Sequence, residues 1–218
     1  EQNDLLDDAI QYAIQAADYE RAASLIESHY RSMLQSGEHT ALSDWISSLP
    51  SELLEKHPRL WLARGWANIV SLNSNRAEEY ASKAESLIPS DKAGALLRRE
   101  AKASHFLGNI FLGKDVSCNE ILSAFTCLTD RDDFINSILY FNLGLHHVMC
   151  GETAQAVDAL NETIQLTQTL NNPLISIIAW AQLGEIRQIR GALGLAERTF
   201  QQAIQQTKKS LGEHTFLL

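Results

Sequence analysis

The chain has 218 residues, 45% of them hydrophobic, and a formal net charge of −9. That length and apolar share suffice for a buried core, while the acidic balance argues against nucleic-acid binding, which needs a basic face against phosphate. No apolar run approaches the roughly 20 residues of a membrane-spanning helix, and the acidic, polar N-terminus lacks the character of a signal peptide.

Apolar residues recur with helical spacing almost throughout. The pattern predicts helices over 4–17, 19–35 and 38–48, a short turn over 51–56, then helices over 58–73, 75–88, 92–112, 117–129, 132–150, 152–170, 172–190 and 192–210. Asp18, ahead of Tyr19-Glu20-Arg21-Ala22, reads as a helix cap. Pro50, Pro58, Pro89 and Pro173 each fall where the helical period breaks, as expected of a residue without a backbone N–H. Gly151 and Gly191 mark turns between helices. No strand pattern, low-complexity stretch or flexible linker stands out, so residues 1–218 read as one all-α domain, with divergent helices over 1–57 and repeats over 58–210.

A spaced signature recurs within these helices. One copy runs Trp180, Leu183, Gly184, Gly191, Ala196, Phe200, Ala203; another Tyr140, Leu143, Gly144, Gly151, Ala156, Leu160; a third Trp61, Gly65, Ala77, Ala81, Ala84, Pro89. A weaker copy joins Leu107, Gly108 and Phe111 to Ala124. Small residues at a helix crossing with large ones beside it are what close packing of two helices requires. This is the tetratricopeptide pattern, antiparallel helix pairs stacked into a right-handed superhelical solenoid. The copies are unevenly spaced, with 79 residues from Trp61 to Tyr140 and 40 from Tyr140 to Trp180, so an irregular stack is expected.

The segment LSDWISSLPSELLEKHPRLWLARGW, residues 42–66, carries a further signal. Leu42, Trp45, Ile46, Leu49, Pro50, Glu52, Leu53, Pro58, Leu60 and Trp66 resemble the opening of the helical domain in the MalT-like, LuxR-class ATP-dependent transcriptional regulators. The resemblance implies a sensor and protein-interaction domain that binds a small-molecule inducer or a regulatory protein. It would relay that event to nucleotide-binding and helix-turn-helix modules elsewhere in the same chain. The alternative is a generic tetratricopeptide adaptor for peptides or proteins. Neither flanking module is visible in these residues: there is no G-x-x-x-x-G-K-[ST] phosphate loop and no basic recognition helix. The missing initiator Met reads as a boundary within a longer polypeptide.

No catalytic constellation appears, so no enzyme activity, cofactor or metal is expected of these residues. Cys118, Cys127 and Cys150 are odd in number and lack metal-ligand spacing, which points to free thiols in the cytoplasm. Asn161-Glu162-Thr163 matches a glycosylation sequon but falls within a predicted helix. His146 and His147 point about 100° apart on a helix, and packing is the expected role of His147. Arg98, Arg99 and Lys102 read as a small solvated basic cluster. Ligand contacts are expected on the concave face, lined by the first helix of each pair. There the register places Arg59, Leu62, Trp66, Lys102, His105, Asn109, Phe141, Leu145, Glu185 and Gln188, a mixture of aromatic and polar groups suited to a sugar, a peptide or an acidic metabolite.

Overall fold

In a computed structural model, which describes residues 2–71, 73–125, 132–170 and 173–211, the chain is all helical, with no strand among the described residues. The helices are α1 (Gln2–Gln15), α2 (Tyr19–Ser36), α3 (His39–Ser47), α4 (Ser51–Leu54), α5 (Pro58–Val70), α6 (Ser74–Leu87), α7 (Lys92–Phe111), α8 (Cys118–Phe125), α9 (Asp133–Met149), α10 (Thr153–Leu170), α11 (Pro173–Ile189) and α12 (Leu193–Leu211). Each predicted helix is present among the described residues, within a few residues at its described ends; the predicted stretch 126–129 lies outside them. Cys127 and residues 212–218 lie outside the described residues.

The caps follow from local chemistry. The Asp18 side chain accepts from the Arg21 amide at 3.3 Å, and Asp91 and Asp132 cap α7 and α9 in the same way, each satisfying one orphan N–H of a first turn. Gly151 and Gly191 adopt φ of +73° after α9 and α11, a left-handed conformation that glycine enters without steric penalty. Pro58 opens α5 at the first helical position, where its missing N–H is no loss.

By packing, the helices fall into two compact units, Glu1–Gly113 and Lys114–Leu218. The sequence reading takes residues 1–218 as a single domain; the division by packing follows Gly113, where residues 114–117 have no regular structure. In the first unit α5 pairs with α6, α6 packs on α7, and α5 also meets α2, α3 and α7. The segment that resembles the MalT-like opening is part of this core. Leu42, Ile46 and Leu60 are fully buried, Leu53 and Leu54 of the short α4 are buried, and the Trp61 indole donates to the Leu54 carbonyl at 3.0 Å, tying α4 to α5.

In the second unit α9 pairs with α10 and α11 with α12, while α10 also packs on α11. The signature residues take the expected places. A Cβ at Gly184 would lie 2.7 Å from Phe200 Cδ1, and one at Gly144 2.9 Å from Leu160 Cγ, so both crossings close only over glycine. Gly65 differs: its nearest neighbour for such a Cβ is Ser104 Oγ at 3.5 Å, ordinary contact, so α5 and α6 do not need glycine there. Ala156, Ala196, Ala77, Ala81 and Ala84 are all buried. Replacing Ala81 or Ala196 by Leu is expected to destabilise the fold by roughly 1–3 kcal/mol through overpacking. Chemical denaturation of each variant measures this, and unchanged midpoints for both would show that the crossings are looser than described.

Candidate functional site

The most developed polar arrangement is in the first unit, around Glu100 of α7. Its side chain is 1% exposed, and an ionised carboxylate there must be paired and hydrogen-bonded. Two other helices supply the partners. From α2, the Tyr30 hydroxyl donates to Oε1 at 2.6 Å and Arg31 Nη2 ion-pairs with Oε2. From α5, the Trp66 indole N–H donates to Oε1 at 3.1 Å. Arg31 Nε also donates to the Tyr30 hydroxyl at 3.2 Å. One carboxylate thus fixes α2, α5 and α7 to one another.

This node floors a cavity of about 270 Å³ lined by Glu27, Ser28, Tyr30, Arg31, Arg59, Leu96, Leu97 and Glu100. Glu27 in its wall faces His57 Nδ1 at 3.2 Å, and His57 Nε2 faces Glu20 at 3.3 Å. The Tyr30 hydroxyl is pushed well above the usual tyrosine range, first by burial and then by the Glu100 carboxylate. It therefore stays protonated and stays a donor.

That shift has a measurable consequence. A group whose pKa is raised on folding contributes its full stability below the unfolded value, near 10 for tyrosine, and loses it as pH climbs from there towards the folded value. The denaturation midpoint is expected to fall above pH 10, and to fall less steeply in Tyr30→Phe. Equal slopes for the two proteins between pH 9 and pH 11.5 would contradict this.

The sequence-predicted ligand residues are distributed differently from expectation. Arg59 is exposed and lines the cavity. Trp66 is buried and meets the site through its indole N–H. Leu62 is fully buried, packed with Ala84, Ile88 and Ala101. On α7, Lys102 is exposed, while His105 is half-buried and hydrogen-bonds to Asn109 at 2.9 Å. In the second unit Phe141 is 1% exposed and Leu145 is also buried, so both are core side chains and not an open groove. Glu185 is exposed and accepts from Gln182 at 3.2 Å, and Gln188 is exposed. The error has a simple cause: a helix with neighbours on several sides buries positions one turn away from its main crossing, and the signature marks only that crossing.

Tyr30, Arg31 and Glu100 were not legible as a site. Tyr30-Arg31 lies in the divergent region, and Glu100 follows an arginine pair whose expected role was solvation. That cluster divides in the structure: Arg99 is buried, Arg98 donates to the Pro89 and Asp91 carbonyls beside the start of α7, and Lys102 alone is exposed.

Other candidates have structural roles. His147 is buried, and its Nδ1 meets Glu152 at 2.5 Å across the Gly151 turn, which pins α9 to the start of α10. Thr163 of the sequon is buried and donates to the Ala159 carbonyl. Cys118 is half-buried and Cys150, at the solvent-facing end of α9, is exposed; both are free. Burial first, then Glu152 and Cys150, push the Cys118 thiol up. Among the described residues no group of three or more His, Cys, Asp or Glu side chains is placed to hold a metal ion, and no helix is long and apolar enough to cross a membrane.

Paired antiparallel helices closed over Gly and Ala define a tetratricopeptide-like helical repeat protein. Comparison with family models narrows this: residues 117–218 match the MalT-like TPR region. Residues 117–218 are therefore similar to the helical repeat region of MalT-like regulators. No curated protein and no solved structure matches the chain.

Proposed function

We propose that this chain is the sensing and partner-binding domain of a MalT-like transcriptional activator that works in the cytoplasm. The observation that carries this reading is the match of residues 117–218 to the MalT-like TPR region, and the residues of 42–66 that resemble the opening of the same domain support it. The domain binds a small-molecule inducer or a regulatory protein and passes the event to nucleotide-binding and DNA-binding modules of the same polypeptide. A ligand can do this only through different affinities for two conformations. In the first unit the Glu100 node offers such a lever, because a ligand in the adjoining cavity acts on three helices at once. The domain itself works without enzyme activity, cofactor or nucleic acid.

Two measurements test the reading. The isolated chain is expected neither to hydrolyse ATP nor to bind duplex DNA at physiological salt, given its charge of −9 and the missing phosphate loop. Tight, salt-sensitive DNA binding would refute it. A thermal-shift screen of sugars, peptides and organic acids should then find a stabilising ligand, with the shift reduced in Arg59→Ala or His105→Ala. A full-length protein whose transcriptional output ignores that ligand would favour the generic adaptor.

A further inference from the structure

Among the described residues, the second unit holds two thiols that the repeat packing does not use. Cys118 is the first residue of α8 and is half-buried; Cys150 follows the last residue of α9 and is exposed; both are free. Helices α8 and α9 pack on each other. The Phe125 ring, at the end of α8, meets the Tyr140 ring, near the middle of α9, with centroids 4.8 Å apart. The start of α8 lies towards the other end of α9, because Glu152 and Cys150 both act electrostatically on Cys118. The two helices are therefore antiparallel. Seven residues back from Phe125 and seven forward from Tyr140 place Cys118 level with His147, one turn short of Cys150.

The two cysteines differ in what they can do. Cys150 is open to solvent, and His146 Nε2 lies 3.6 Å from its sulfur, where an imidazole can take the thiol proton. Cys118 is withdrawn, and burial first, then Glu152 and Cys150, push its thiol up, so it stays protonated until a partner sulfur is presented. A disulfide needs Cα atoms within about 7 Å. Both cysteines sit at helix ends, beside the irregular residues 114–117 on one side and the Gly151 turn on the other, where the backbone moves at little cost.

We propose that Cys150 and Cys118 form a peroxide-reactive dithiol, with Cys150 as the attacking thiol, His146 as its base and Cys118 as the resolving thiol. The Cys150 sulfur attacks one oxygen of hydrogen peroxide and the O–O bond breaks. The other oxygen leaves as water with the proton that His146 has taken, and Cys150 becomes a sulfenic acid. The Cys118 sulfur then attacks the Cys150 sulfur. The S–O bond breaks, hydroxide leaves as water with the Cys118 proton, and the S–S bond forms. The two thiols together lose two electrons and two protons, and the peroxide is reduced to two waters. A thiol reductant reverses the bond, as suits the transient, redox-sensing disulfides of a reducing compartment. This goes beyond the sensor reading and does not depend on it.

The test treats the reduced full chain with hydrogen peroxide and maps its peptides by mass spectrometry without reduction. A Cys118–Cys150 bridge is expected, lighter than the thiol pair by two hydrogens and reversed by dithiothreitol. Cys118→Ser should stop at a Cys150 sulfenic acid that a 1,3-diketone trap labels, and Cys150→Ser should leave Cys118 a thiol under the same conditions. Cys118→Ala replaces the serine variant if that one fails to fold. His146→Gln should slow the loss of the Cys150 thiol at least about threefold while leaving the melting temperature unchanged, which a merely structural histidine would not do. A bridge from Cys150 to Cys127 or to a second chain overturns the pairing. A Cys150 that peroxide leaves as a thiol, or a His146→Gln chain that reacts as fast as the parent, overturns the proposal.

Discussion

Glu100→Ala is expected to destabilise the first unit by about 3 kcal/mol, a large effect for a single side chain in a protein of this size. The change removes the acceptor for two hydrogen bonds and one ion pair. The Tyr30 hydroxyl and Trp66 indole N–H are then left in an interior where an unmade hydrogen bond costs about 1–3 kcal/mol. Arg31 loses this ion pair too, but its side chain is 32% exposed, so water recovers part of that loss and the value stays at the lower end for a broken buried pair. Glu100→Gln keeps an acceptor and should cost less than Glu100→Ala. Denaturation followed by tryptophan emission and by circular dichroism measures both. A Glu100→Ala midpoint equal to that of the parent would show that the carboxylate does not tie α2, α5 and α7 together. A double-mutant cycle with Arg31→Ala separates the ion pair from the remaining contacts.

The second large effect is a reversal of sign between two glycines. In a helix interior, alanine is favoured over glycine by about 1 kcal/mol. At Gly65, where the nearest atom to an added Cβ is 3.5 Å away, that preference is unopposed, and Gly65→Ala should stabilise by up to about 1 kcal/mol. At Gly184 the same methyl runs into the Phe200 ring, with Cδ1 only 2.7 Å away. Overpacking of roughly 1–3 kcal/mol then outweighs the propensity gain, and Gly184→Ala should destabilise. The Phe200→Ala background removes the obstacle, so adding Gly184→Ala there should be stabilising. Urea midpoints of the four proteins test this as a cycle; additive effects of Gly184→Ala and Phe200→Ala would mean that the ring is not what excludes a side chain from the α11–α12 crossing.

Much of the architecture could be read from residues alone, because helix signals are local. A proline cannot donate the backbone hydrogen bond, a left-handed turn selects glycine, and a short acidic side chain caps the amides just beyond it. Hence Pro58, Gly151, Gly191 and Asp18 marked helix ends correctly. The Gly184–Phe200 and Gly144–Leu160 crossings were legible for a related reason: two helices joined by a short turn meet at a fixed sequence spacing, so shape complementarity leaves a repeating trace. The resemblance of residues 42–66 to the MalT-like regulators was legible in the same way, as a fixed order of Leu, Trp and Pro.

Only the tertiary structure decided which polar groups meet and which apolar groups are covered. Glu100 is 70 residues from Tyr30 and 34 from Trp66, and no periodicity links such separations. Their convergence depends on how α2, α5 and α7 lie against one another. Burial of Phe141 and Trp66 likewise depends on how many neighbours a helix has, a quantity absent from its own spacing pattern. Ile164 and Ile204 make the point most directly: they are the same residue type 40 residues apart in the second helices of successive pairs, yet one is 5% exposed and the other 45%.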